Sequence, residues 1–522
     1  MISLKGANTE IISYAPLGYQ GQLVSVEVDL RIGIPGTDII GLPASEVREA
    51  KERVRVALRN SGFAYPTKRV LINLAPADVP KTGNGFDLAI ALAVILQSEQ
   101  LRPPPIARLL VLGELHLDGS VAPVRGGIAA VDEAARSGIR RFLVPHGNHR
   151  EATAVGVGRV GAVRHLAQLG RLLRDLGSEQ VRRQPVAKSS HGARSARLSP
   201  VNGDYLDLRG NGIFKRALAL AAAGGHHLLV VGPPGAGKSM GISLLPTILP
   251  PLRREEALEV TRVHSLVGET SADGGLILER PFRSPHHNSS VEGLIGGGRM
   301  VQPGEVSLAH RGVLFLDEVL EFRRPALQGL REPLERRRVH ISRAGRSYWF
   351  PAAFQLFMAA NPCPCGNLGR PDRECLCSLA EVERYWRRIG GPLLDRVDLR
   401  VAVVSQDIDS LEFGESSTDM RNAVSRARAR QEARSDRARC RYNSELPVDR
   451  LFAVVEMTEY ARRIYRAACI RLRLSARASV SVARVARTIA DIEDSDLVSE
   501  DHVLEAVAHR RNGEDQSLWS TM

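Results

Sequence analysis

Three short runs of the chain are apolar, the last but for Gln355: Leu228–Val231, Val313–Leu316 and the stretch FQLFMAA that ends at Ala360. Each is bounded by glycine, charged or amide residues, and short apolar runs with such borders read as strands buried on both faces. The pattern before them is different. Over residues 1–175, strand-like segments (LVSVEVDLRIG, KRVLINLAPADV, RLLVLGELHLDG) mix with helix-like ones (SEVREAKERVRVALRNSG, FDLAIALAVILQ), which predicts a separate α/β domain. A polar linker with arginines and serines is expected over 176–204, followed by a second α/β domain over 205–405. Beyond it the periodicity is helical at 419–440, at 450–472, in LSARASVSVARVARTIADIED and in VSEDHVLEAVAHR, where Ser499 is the expected N-cap. Residues 406–522 are therefore predicted to form a helical lid.

Composition narrows the class. At 522 residues the chain exceeds one ordinary core, and 43% hydrophobic with 25% charged residues is the balance of a soluble globular protein. No apolar run approaches the ~18 residues that cross a bilayer, and the N-terminus lacks a secretory h-region, so no membrane association and a cytoplasmic location are expected. A net charge of +13, dense in arginines from Arg421 to Arg441, suits a polyanion such as nucleic acid. A merely solvated helix face is the other reading.

The apolar run at Leu228 leads into GPPGAGKS, residues 232–239, which fits G-x-x-x-x-G-K-[ST]. Gly232, Pro233, Pro234, Gly235, Ala236 and Gly237 would wrap backbone N–H groups around ATP phosphates. Lys238 would reach the β- and γ-phosphates, and Ser239 would ligate Mg²⁺. The run at Val313 ends in Asp317 and Glu318, two acids that are costly at a buried strand end unless they have work. Asp317 is expected to hold the Mg²⁺ and Glu318 to polarise the attacking water. Asn361, at the end of the third run, is placed to contact the γ-phosphate or its water.

Other features leave alternatives open. Cys363, Cys365, Cys375 and Cys377, four of the six cysteines, can close on one tetrahedral Zn²⁺ of structural role, or stay as reduced thiols tethering a loop. Arg396, in a loop before a strand, is either an arginine that reaches a neighbouring subunit's γ-phosphate or a surface ion pair. Arg477 is the candidate lid arginine that contacts the same ATP, with several nearby arginines, Arg484 among them, as substitutes. Residues 336–351 read as a hairpin that either turns Arg343 and Arg346 toward phosphates in a channel or is a plain surface hairpin. Its Tyr348 and Trp349 either stack on bases or are buried. The pairs His226-His227 and His286-His287 read as packing or capping residues sooner than as metal ligands, and the glycine-rich segment 284–305 as a mobile pore insert sooner than as a second nucleotide site.

The segments AAAGGHHLLVVGPPGAGKS, PFRSPHHNSS, GEVSLAHRGVLFLDE, ANPCPCG and GPLLDRVDL resemble the ComM/YifB family, a magnesium-chelatase-like branch of the AAA+ ATPases, and the resemblance runs from about residue 4 to 511. It implies an AAA+ P-loop module with extra hairpins, a parallel sheet with helices on both faces, a helical lid and a hexameric ring. In ComM it implies a helicase driving branch migration during natural transformation. Two positions depart from the pattern: Gly210-Asn211 stands for the usual glycine-glutamine, and Ser481 for an expected lid arginine. The first domain resembles the Lon-type serine protease fold. Its serine position falls on Gly85 and its lysine position on Ile128, so acyl-enzyme chemistry has no nucleophile or base there.

Two function classes follow. One is a homohexameric ATP-driven motor on single-stranded or branched DNA, in recombination or transformation. The other is a chelatase-like or chaperone-like ATPase that remodels a protein. The absence of a D-x-S-x-S run followed by an acidic integrin-like domain counts against the second.

Overall fold

The computed structural model describes residues 9–102, 106–178, 203–269, 275–343, 345–370, 372–404 and 414–511. The expected linker core at 180–200 lies outside them. Two sheets organise the chain. The first has seven strands in the order Gly36–Ile40, Arg69–Ala75, Gln20–Arg31, Glu10–Leu17, Arg108–Val111, Arg141–Pro145, Arg159–Val163. Its centre is antiparallel, turned at Gly18 (φ +67°), and its outer pairs are parallel. Helix Asp87–Gln97 is buried from Asp87 to Ile95 and fills the core beneath this sheet. Helix Ser45–Asn60 turns only Val47, Ala50, Val54, Ala57 and Leu58 inward, the stripe expected of a helix lying on a surface.

The second sheet is wholly parallel. Its order is Phe282–Arg283, Val313–Leu316, Gln355–Ala360, Leu228–Val231, Leu399–Ala402. All three apolar runs are thus adjacent inner strands, as their lack of alternation demands. Leu228, Val313 and Phe357 point into the same core as helix Gly212–Gly224 and the C-terminal helices Ser417–Ala433, Ala476–Ile492 and Glu500–Arg511. Each fully buried Leu, Val or Phe side chain there contributes ~1.5–3 kcal/mol, so the helical region is welded to the sheet rather than hung from it.

The helices depart from expectation in detail. The predicted 450–472 helix is two, Leu451–Val454 and Glu459–Arg471, because Met457 pairs with Val498 and Thr458 caps the second from its side chain. Ser499 does precede Glu500–Arg511 and accepts from the His502 N–H at 3.5 Å.

The arginines of 421–441 are not a free basic face. Arg434 grips the fully buried Asp491 with two bonds of 2.8 and 2.6 Å, Arg426 pairs with Asp494, Arg430 with Asp496, Arg437 with Glu456 and Arg441 with Glu256. Arg428 stacks 3.7 Å over the Tyr442 ring, and burial lowers its pKa to about 10. Much of the charge that drew attention in the sequence is neutralised inside the fold.

The two sheets are bridged. Arg262, almost fully buried, donates to Asp132 at 2.8 Å, and Ser265 donates to the buried Glu151 at 3.1 Å. Strands Arg338–Arg343 and Arg346–Pro351 form the expected hairpin, with Arg343 opposite Arg346. It leans on the first domain: Trp349 stands 5.0 Å from the Tyr19 ring and accepts its N–H at 3.0 Å, while Arg346 bonds the Asp78 carbonyl.

Candidate functional site

Strand Leu228–Val231 ends at the glycine loop, where Gly235 and Gly237 take φ of +83° and +81°. Those angles favour glycine, and the loop lines a cavity of about 400 Å³. The cavity is bounded by Gly235–Met240, Asp317, Glu318 and Asn361. Lys238 spends its three ammonium hydrogens on Gly232 O (2.5 Å), Pro233 O (2.8 Å) and Asn361 Oδ1 (3.2 Å). Burial lowers its pKa to about 8, against the pull of Asp317 and Glu318. The structure therefore gathers Lys238, Ser239, Asp317, Glu318 and Asn361 around one hollow, at the C-terminal ends of three neighbouring strands.

Glu318 sits at φ +49°, a left-handed conformation costing a non-glycine residue about 1–2 kcal/mol. Its N–H donates to Asp317 Oδ1 at 2.9 Å, so the turn separates the two carboxylates and leaves Glu318 half exposed. His287 approaches it at 3.7 Å and stacks on His286. His226 instead lies buried between Thr488 (2.8 Å) and Asp398 (3.4 Å), and His227 accepts the Leu356 N–H, which is the packing role expected of that pair.

Arg396 and Arg477 are brought together, away from the glycine loop. Arg477 Nη2 donates to Glu335 Oε1 at 2.6 Å, and Arg396 Nη2 ends on that same oxygen. They line a second cavity of about 460 Å³ with Arg280, Arg337, Arg428 and Arg484. Its other walls are His227, Gly312, Gln355 and Asp398, residues that enter the strands whose far ends carry the phosphate loop and acids. The arginines thus stand at the N-terminal edge of the sheet and the loop at its C-terminal edge. Ser481, the departure from the expected arginine, donates to Asp398 at 2.5 Å. Burial opposes charge on Asp398, yet His226 and Ser481 hold its carboxyl well below the usual range.

The cysteine loop follows Asn361 directly. The four sulfurs lie within 4.8 Å of one another, with Cys363–Cys365, Cys363–Cys375 and Cys365–Cys375 at 3.4, 3.6 and 3.7 Å. A tetrahedron of Zn–S bonds near 2.3 Å has edges of about 3.8 Å, so these three thiols stand at the spacing of such a site and Cys377, within 4.8 Å, can complete it. Leu368 N–H donates to Cys363 Sγ at 3.4 Å, the kind of outer contact that orients a thiolate ligand. Gly366 (φ +76°) backs onto the phosphate loop, where a Cβ would fall 3.0 Å from the Pro234 ring.

Gly85 lies in the loop before helix Asp87–Gln97, and Ile128 is buried within helix Gly127–Arg136. Glu335 and Asp398 were missed in the sequence: an acid inside REPLERRR and one inside LLDRVDL carry no signal of their partners.

A five-stranded parallel sheet with the phosphate-loop strand flanked by the third-run and Leu399–Ala402 strands, two acids on the next strand and an attached helical domain define an AAA+ P-loop ATPase. Models of the magnesium chelatase subunit ChlI match residues 204–411 and 26–148, and that of the ChlI C-terminal region matches 414–510. The chain belongs to the ComM/YifB family of magnesium-chelatase-like AAA+ proteins. It is 40% identical to YifB of Escherichia coli over 95% of this chain and 96% of that one, and 38% identical to the competence protein ComM of Haemophilus influenzae over 96% and 97%. A shorter likeness, 35% over 17% of the chain and 19% of the relative, links it to the DNA repair protein RadA of Salmonella typhimurium. Among the described residues no helix is long and apolar enough to cross a membrane.

Proposed function

We propose that the protein is a cytoplasmic homohexameric ATPase that uses hydrolysis to move along DNA, as a helicase promoting branch migration in recombination or natural transformation. The observation that carries the assembly is the separation of the two cavities. Phosphates held by Lys238 with Mg²⁺ on Ser239 and Asp317 face Glu318 and Asn361, but Arg396 and Arg477 stand at the sheet's other edge. Stacking chains edge to edge in a ring brings one chain's arginines to the next chain's phosphates, where they neutralise charge in the transition state. A Mg²⁺ held by Ser239 and Asp317 would supply charge neutralisation to the phosphates. Glu318 orients and polarises the water, and its open position leaves that water room.

DNA as the track is supported by the +13 charge and by the competence and repair proteins among the relatives. The cysteine cluster holds a structural Zn²⁺ that shapes the loop behind Pro234, and metal analysis of the purified chain should return one zinc per chain. The first domain serves as a non-proteolytic scaffold. A second reading, remodelling of a protein partner, is favoured by the internal pairing of the 421–441 arginines and by the hairpin's contact with the first domain. The deciding measurement is steady-state ATPase with single-stranded, duplex and four-way-junction DNA, using Glu318→Gln as blank. Several-fold stimulation by branched DNA, lost at high salt, supports the motor; indifference to every DNA selects the remodeller.

A further inference from the structure

We propose that Glu335 is a positioning residue for ATP hydrolysis between chains: it gathers Arg396 and Arg477 on one carboxylate oxygen and yields them to the terminal phosphate of a neighbouring chain's ATP. The inference rests on the inter-subunit reading above. Its basis is that two guanidinium groups from elements far apart in sequence converge on a single atom, Oε1 of Glu335. Paired guanidinium donors on one anionic oxygen are also what a phosphate oxygen is offered when arginines bind it. The carboxylate is an internal stand-in for that phosphate.

The surroundings fit exchange rather than a permanent pair. Arg396 is also held by the Pro392 carbonyl, and its Nε is buried with no partner, so the group keeps a donor in reserve. Arg477 has only a long second contact, 3.7 Å to Asp395, whose carboxylate already accepts from Arg510 at 2.9 Å and Ser475 at 3.1 Å. Glu335 is nearly half exposed, on the short helix Arg331–Arg336, so its carboxylate can swing into water without stranding a buried charge. Two arginines freed together would otherwise repel each other in the open edge of an unassembled chain. Glu335 keeps them paired until a more highly charged anion arrives.

The test is Glu335→Gln, near in shape but uncharged, in the full chain at concentrations where it assembles, with ATPase followed against ATP concentration. Removing the competing ion pairs should lower the half-saturating ATP concentration about fivefold, and turnover should fall as the arginines lose the carboxylate that gathers them, with thermal stability unchanged. In an Arg396→Ala, Arg477→Ala background the same change should do nothing further. A merely structural role would instead lower thermal stability and turnover alike in both backgrounds. Glu335→Asp, which keeps the charge on a shorter arm, should fall between the two, and serves if the glutamine variant melts early. An unchanged or raised half-saturation, or an equal effect in both backgrounds, overturns the proposal. If Arg396→Ala and Arg477→Ala leave turnover untouched, the inter-subunit reading itself falls and this proposal with it. If those two variants cut turnover and Glu335→Gln does nothing, only the proposal falls.

Discussion

The two edges of the parallel sheet are built on opposite plans. At the C-terminal edge, Lys238, Ser239, Asp317, Glu318 and Asn361 arrive from strand ends and share one hollow with no arginine among its walls. At the N-terminal edge, arginines from six separate segments crowd a cavity of similar size, checked by Glu335, Asp398 and Glu445. One edge is made to receive an anion and the other to present cations. A chain with both has a donor face and an acceptor face, the two surfaces that a heterologous pairing of chains requires.

The comparison breaks most sharply at Lys238. Lys238→Ala removes the buried cation of the receiving edge, and nucleotide affinity should fall at least about a hundredfold by calorimetry, with the fold intact. An equal fall on deleting Arg396 in isolated chains would erase the distinction between the edges. The next test lies at the presenting edge. Asp398→Asn leaves His226 and Ser481 without their anion and should cost about 2 kcal/mol in denaturant unfolding. Because the folded carboxyl titrates below its unfolded value, the stability Asp398 contributes is fully present above about pH 4 and fades as acid protonates it. The variant should lose that part of the acid transition. The smallest effect sharpens the contrast by pH. Lys238 titrates near 8 in the free chain, so below that pH phosphates meet a charged ammonium and above it binding must take up a proton. Affinity should decline by up to about tenfold per pH unit above 8, and proton uptake should appear as buffer-dependent binding heat.

The same contrast explains what the sequence made legible. The receiving edge is encoded in contiguous stretches, because a strand end, a glycine loop and a helix start are local geometry: GPPGAGKS and LFLDE announce themselves. The presenting edge is assembled from positions such as Arg280, Glu335, Arg396, Arg428 and Arg477, each unremarkable beside its neighbours in the chain. Arg396 and Arg477 were singled out as arginines with work at ATP, but nothing in their flanking residues shows that they share Glu335. The ion pairs of the run from Arg421 to Arg441 were hidden for the same reason, since its acids Asp491, Asp494 and Asp496 lie far downstream. Spacing did better with the cysteines, because a loop that returns on itself is short enough for two C-x-C pairs to report on each other.

The hairpin also ties the phosphate site to the first domain. Its second strand leaves Trp349, packed on Tyr19 of the first domain, and within a few residues becomes strand Gln355–Ala360, whose end carries Asn361 against Lys238. Only residues 352–354 separate the two strands, so eleven residues of one segment join the side chain that holds Lys238 to the ring that packs on the first domain.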